Sequence, residues 1–169
     1  KEKDKDKRNQ LKQDLPAICF SGTFNKRSDD SLINHSGIIC LDFDGFKNKT
    51  ALQSKKDEMI SDLYTYAVFI SPSGNGIKVL VKIPSESATH KSFFKALQKY
   101  YDCEEFDITC KNVSRVCYES FDPKLYVNED SEIWTEEAEE ELVSYTHESR
   151  ATLKLTDTDE TIKRLRLWW

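Results

Sequence analysis

The sequence predicts an α+β fold, an antiparallel or mixed sheet with helices packed on it, and three observations predict it. Strand-like apolar runs come in order at "GIICLDFDGF", "YAVFISPSG", "GIKVLVKIP" and "SRVCYES". Two stretches with one apolar helical face, "TALQSKKDEMISDL" and "THKSFFKALQKYY", fall between them. The middle two strands are joined by "SPSGNG", a connection short enough only for a hairpin. The 169 residues, 38% of them hydrophobic, suit one globular domain with appendages.

Each element follows from its own residues. Residues 1–14, "KEKDKDKRNQLKQD", form a charged arm, either a frayed helix or solvated chain. "LPAICFSGTF" reads as one short strand, entered through Pro16 and left through Ser21 and Gly22. "NKRSDDSLINHS" reads as a polar connection, with Lys26 and Arg27 either meeting phosphate or, as such pairs more often do, lying on solvated surface. In the next strand, Ile38, Ile39, Cys40 and Leu41 precede Asp42, and Gly45 ends the run. Leu52, Met59, Ile60 and Leu63 mark the first helix. Ile77, Val79, Val81 and Ile83 alternate with Lys78, Leu80 and Lys82, which gives that strand one apolar face and one mixed face. Phe93, Phe94, Leu97, Tyr100 and Tyr101 share a face of the second helix. The order from Gly37 to Ser120 is β-α-β-β-α-β, the split-βαβ pattern of an RRM-like sheet. Around this core lie an N-terminal strand unit and a C-terminal helical extension. The extension comprises an acidic helix from Glu136 to Tyr145 and a helix opening in "DTDETIKRLRLWW". The expected divisions are 1–14, 15–134 and 135–169. A chain that begins with Lys1 and stops at "RLRLWW" reads as a piece of a longer protein.

Charge and cysteine content narrow the setting. The net charge is −5, but residues 129–148 hold nine acids and no Lys or Arg, and residues 1–128 balance to +2. A slightly basic body leaves a nucleic-acid partner open. Five cysteines without a compact framework, and no secretory or membrane-spanning run, predict a reducing, cytoplasmic location and no membrane partner. Cys40 and Cys117 sit in strand-like runs as packing residues. Cys103, Cys110 and Cys117 are evenly spaced, which raises a zinc site, but zinc sites favour tighter pairs.

Three motifs carry chemistry. Asp42 and Asp44 are two apart on a strand, so they share a face, and two like charges that close repel. A divalent cation relieves that repulsion, and hard carboxylate oxygens suit Mg²⁺ or Mn²⁺. In "ISPSGNGIK", Ser71, Ser73, Gly74 and Gly76 form a turn whose amides and hydroxyls can meet an anion, with Lys78 following on the strand. No Walker A spacing is present. In "EEFDITCKNVSRVCYES", Asp107 is placed to complete a three-carboxylate site; Glu104 and Glu105 are the rival ligands. Arg115 balances carboxylates, binds phosphate, or is a surface base.

Together, "HSGIICLDFDGF", "ISPSGNGIKVLVKIP" and "FDITCKNVSRVCYESFDPKLYVN" resemble, in order and spacing, the archaeo-eukaryotic-type primases or primase-polymerases. Within them the chain is most similar to the BT4734-like domain found at the N-terminus of virulence-associated E-type proteins. The resemblance runs from about Leu15 to Asn128 and would make 15–134 a primase-like catalytic domain, with 135–169 leading to a missing downstream domain. It implies a nucleotidyltransferase for replication of a mobile element or phage-like replicon. Asp42, Asp44 and Asp107 would be catalytic and hold two Mg²⁺ or Mn²⁺ ions. Ser71, Ser73, Gly74, Gly76, Lys78 and Arg115 would bind the nucleoside triphosphate. Lys78 departs from the pattern, since many members carry histidine there. Implied partners are a single-stranded template and a downstream helicase-type ATPase domain. A metal-dependent nuclease and a non-catalytic DNA-binding module are the alternatives.

Overall fold

The structure, a computed structural model, describes residues 4–86 and 88–138. From residue 139 onward, the acidic helix and the last expected helix lie outside the described residues. Helix α1 (Lys5–Gln13) leads to strands β1 (Ala17–Ile18), β2 (Gly22–Phe24) and β3 (Leu32–His35). Then come β4 (Ile38–Phe43), α2 (Lys49–Ser61), β5 (Thr65–Ile70), β6 (Ile77–Lys82) and α3 (His90–Tyr101). The short strands β7 (Cys117–Tyr118) and β8 (Tyr126–Val127) follow. No helix among the described residues is long and apolar enough to cross a membrane.

The α+β class holds, and the main sheet has the order β4-β6-β5-β8 with antiparallel neighbours. β6 lies between β4 and β5, so α2 makes the split-βαβ crossover that the sequence order predicts. Asn48 caps α2 by accepting the Ala51 N–H at 2.9 Å. Ile39, Leu41 and Phe43 of β4 and Ile77, Val79 and Val81 of β6 bury one sheet face against Leu52 and Met59 of α2 and Phe93, Phe94 and Leu97 of α3. The opposite face carries Cys40 and Leu80 in a smaller cluster with Ala67 and Cys117.

Three expectations change. "LPAICFSGTF" is not one strand: β1 pairs with β7, while β2 pairs with β3 in a separate ribbon. The polar connection "NKRSDDSLINHS" contains β3, whose exposed positions hid it from hydrophobic patterning. "SRVCYES" supplies only two strand residues, and they pair with β1 rather than β4. The edge of β4 is filled instead by residues 105–107. Phe106 bridges Phe43, Asp44 donates its N–H to the Glu105 carbonyl, and Asp107 donates its N–H to the Asp42 carbonyl. The fourth sheet strand is β8, beside β5 at the other edge.

Lys56, in the charged run "SKKDE" of α2, is 1% exposed. Its ammonium donates to Asp122 Oδ2 and to the Lys124 carbonyl, both at 2.6 Å. Asp122 also accepts the Ile70 N–H at 2.8 Å. Burial pushes the Asp122 carboxyl up, but these hydrogen bonds outweigh it and hold its pKa below the ordinary value. The pair fastens the loop before β8 to both α2 and β5.

His90 opens α3 and is also buried. His35 Nδ1 accepts the Gly37 N–H at 3.0 Å, so its Nε2 carries the proton and donates to His90 Nδ1 at 3.0 Å. Burial first, then the neighbouring His35, holds His90 down at about 4. Between that value and the ordinary histidine value, the unfolded chain binds the extra proton. Stability is therefore complete above pH 6.5 and lost as pH falls toward 4, by about 3 kcal/mol. Urea midpoints taken from pH 7 to 4.5 should fall accordingly, and the fall should shrink in His90→Leu.

Candidate metal and nucleotide site

The end of β4 meets the start of β6 in register, with Asp42 directly opposite Lys78. Strand alternation turns both side chains to the face away from the helices. Lys78 Nζ donates to Asp42 Oδ2 in an ion pair, and each side chain is less than a tenth exposed. Burial lowers the Lys78 pKa, but the adjacent Asp42 charge prevails and leaves it above lysine's ordinary value. The repulsion expected at the two acids is thus met at Asp42 by a resident ammonium. Asp42 Oδ1 is buried without a hydrogen-bond partner among the described residues.

Asp107 arrives beside Asp42 through the backbone bond at the β4 edge, N–H to carbonyl at 2.8 Å. Its carboxylate caps a 3₁₀ turn, Ile108–Cys110, by accepting the Thr109 N–H at 2.9 Å and the Thr109 hydroxyl at 2.7 Å. Cys110 Sγ donates to Asp107 Oδ2 at 3.0 Å, and Arg115 Nη2 lies 3.5 Å from the same oxygen. Burial raises the Asp107 pKa, but the Cys110 and Thr109 hydrogen bonds and the Arg115 charge outweigh it, so it lies below the ordinary value. Burial, then the bond to Asp107, pushes the Cys110 thiol up to about 12.

Asp44 lies just past β4 and is exposed. Its pKa is raised, by desolvation first and then by the Asp42 charge, with Lys78 and Lys12 opposing. Gly76 makes room for it: a Cβ there would stand 1.9 Å from Asp44 Oδ1 and 2.6 Å from the Phe43 carbonyl. The turn before Gly76 is closed on itself. Ser71 donates its N–H to the Gly76 carbonyl, Gly74 donates to the Ser71 carbonyl, and Asn75 donates to Ser73 Oγ. Ser71 and Ser73 hydroxyls bond each other at 3.1 Å, and Gly74 takes a φ of 71°.

The fold thus gathers Asp42, Lys78, Asp107 and Arg115 at one end of the sheet, with Asp44 over Gly76 at the first turn of the hairpin strand. Glu104 is exposed, and Glu105 contributes its backbone carbonyl to Asp44. Cys103 and Cys117 do not join Cys110. The grouping found among the described residues is Asp42, Asp107 and Cys110, with one ligand atom from each within 4.8 Å of the others. Sequence reasoning had not placed Cys110 with the acids. The usable signal was "DITC": a 3₁₀ turn eclipses positions three apart, which stacks Cys110 under Asp107. Carboxylate oxygens, with Asp42 Oδ1 unpartnered, suit a hard divalent cation.

The same sheet face holds an apolar groove of about 550 Å³, lined by Phe20, Tyr66, Phe69, Leu80 and Tyr118 among others. Lys82 Nζ lies 5.2 Å over the Tyr66 ring, and Lys12 Nζ 5.4 Å over the Tyr118 ring.

Comparison with curated proteins finds no match, and comparison with solved structures finds none either. The family model for the BT4734-like, N-terminal domain matches residues 10–127, a span that contains every site residue described above. With most of its length inside that match, the chain belongs to the BT4734-like N-terminal domain family.

Proposed function

We propose that this domain is a metal-dependent nucleotidyltransferase of the archaeo-eukaryotic primase type, acting in replication of a mobile element. The observation that carries the reading is the meeting of Asp42 and Asp107 at the β4 edge, with a buried oxygen of Asp42 unpartnered. Asp42, Asp44 and Asp107 would hold Mg²⁺ or Mn²⁺, which when bound supply positive charge for phosphoryl transfer. Lys78 fixes and orients Asp42 from the neighbouring strand, as Arg115 does for Asp107. Both bases, with the serines and glycines of the turn, would meet the triphosphate of a nucleotide by exchanging the internal bonds they make here. The aromatic groove offers stacking surfaces for bases of a single-stranded template, with Lys12 and Lys82 for its backbone. A helicase-type ATPase downstream in the full-length protein would open the duplex that this domain copies.

The test supplies labelled nucleoside triphosphates, a single-stranded template and Mn²⁺. Template-dependent extension supports the reading. Shortening of the strand indicates a nuclease, and neither reaction indicates a binding module. Asp44→Ala separates chemistry from folding, because Asp44 is exposed and forms no ion pair among those of the described residues. It should lower incorporation by about 10³-fold and leave the unfolding free energy, read from urea titration, within about 0.5 kcal/mol of wild type. Full activity in that variant would remove Asp44 from the site.

A further inference from the structure

We propose that Cys110 is a metal ligand together with Asp42 and Asp107, and that its thiolate biases the position toward thiophilic divalent cations over Mg²⁺. The proposal rests on the reading of Asp42 and Asp107 as metal-holding residues and adds a ligand of different chemistry. Cys110 is 2% exposed, yet its surroundings on one side are polar. Its Sγ lies 3.0 Å from Asp107 Oδ2 and 3.8 Å from Asp42 Oδ2. A cysteine that serves only as packing has apolar neighbours and no reason to face two carboxylates. The 3₁₀ turn sets it there, three residues after Asp107 and on the same side.

An independent observation concerns the same carboxylate, at the oxygen that Lys78 does not hold. Asp42, itself more than nine-tenths buried, leaves Oδ1 without a hydrogen bond. A buried carboxylate oxygen without a partner is costly, and a cation beside it removes the cost. Charge also balances. With Asp44, three carboxylates and a thiolate give −4, Lys78 and Arg115 return +2, and a dication brings the cluster to zero. Three protein ligands leave coordination positions open for water or substrate. When the cation binds, the Cys110 S–H proton leaves to solvent and the sulfur electron pair forms the metal–sulfur bond. No oxidant or reductant is involved. Soft sulfur raises affinity for Zn²⁺, Cd²⁺ and Co²⁺ and contributes little for Mg²⁺.

Metal-free protein titrated with Co²⁺ or Cd²⁺ and followed by near-ultraviolet absorption tests this without any turnover. Wild type should develop a thiolate-to-metal charge-transfer band that Cys103→Ser and Cys117→Ser keep and Cys110→Ser loses. Cys110→Ser should also weaken Cd²⁺ binding at least tenfold, while Mn²⁺ binding, read by electron paramagnetic resonance, changes less than about threefold. If Cys110→Ser does not fold, ¹¹³Cd resonance of wild type decides: one sulfur ligand moves the signal downfield of the all-oxygen range. Mn²⁺ binding without a thiolate band, or a band that survives Cys110→Ser, overturns the role of Cys110 and leaves the carboxylate site standing. Absence of any Mn²⁺, Co²⁺ or Cd²⁺ binding overturns both readings.

Discussion

Asp42→Ala is expected to cost about 3–5 kcal/mol of stability and to abolish nucleotide incorporation. The stability loss comes from Lys78. Its side chain is 8% exposed, and Asp42 is its ion-pair partner across β4 and β6. Removing the carboxylate strands an ammonium in a buried site, which is worse than having no pair at all. Domains of this size have only about 5–15 kcal/mol in hand. Asp42→Ala combined with Lys78→Met should therefore recover most of the lost stability, since an apolar side chain of similar length fills the space. It should recover no incorporation, because the metal-facing oxygen is still missing. Urea unfolding of wild type and the two variants measures the first effect, and primer extension the second. An Asp42→Ala protein as stable as wild type would show that the pair contributes nothing. An active double variant would remove Asp42 from the chemistry.

Asp122→Ala should destabilise the fold by a similar amount, about 3–5 kcal/mol. Lys56 and Asp122 are both nearly inaccessible, at 2% and 3% side-chain exposure. The substitution leaves the Lys56 ammonium with only the Lys124 carbonyl and frees the Ile70 N–H at the end of β5. Asp122→Asn should fall between, because its amide oxygen can still accept from Ile70. The expected readouts are a lower urea midpoint and faster amide exchange at Ile70. If Asp122→Ala unfolds at the wild-type midpoint, the clamp between α2 and the β8 loop is not a stabilising one.

Much of the core was legible because it is written in short-range pattern. The period-two alternation of Ile77, Val79 and Val81 and the one-faced spacing of Phe93, Phe94 and Leu97 each come from a single element, and each chose the buried face found in the structure. The turn residues of "SPSGNG" imposed the hairpin in the same local way. Alternation also put Lys78 and Asp42 on the face away from the helices. Lys56 escaped notice for the opposite reason: a lysine among charged neighbours reads as solvated until a distant carboxylate covers it.

What the sequence determined by itself was the α+β class, the split-βαβ order and the acids at the end of β4. What only the tertiary structure decided was who meets them. Strand register set Lys78 against Asp42 across 36 residues of chain, and a backbone bridge brought Asp107 and Cys110 to the same carboxylate across 65 and 68. β7 took β1 as its partner instead of β4 for the same kind of reason, since residues 105–107 already occupied that edge. Periodicity is a property of neighbours in sequence, whereas pairing, register and the burial of a charge depend on groups far apart in the chain competing for one place in space.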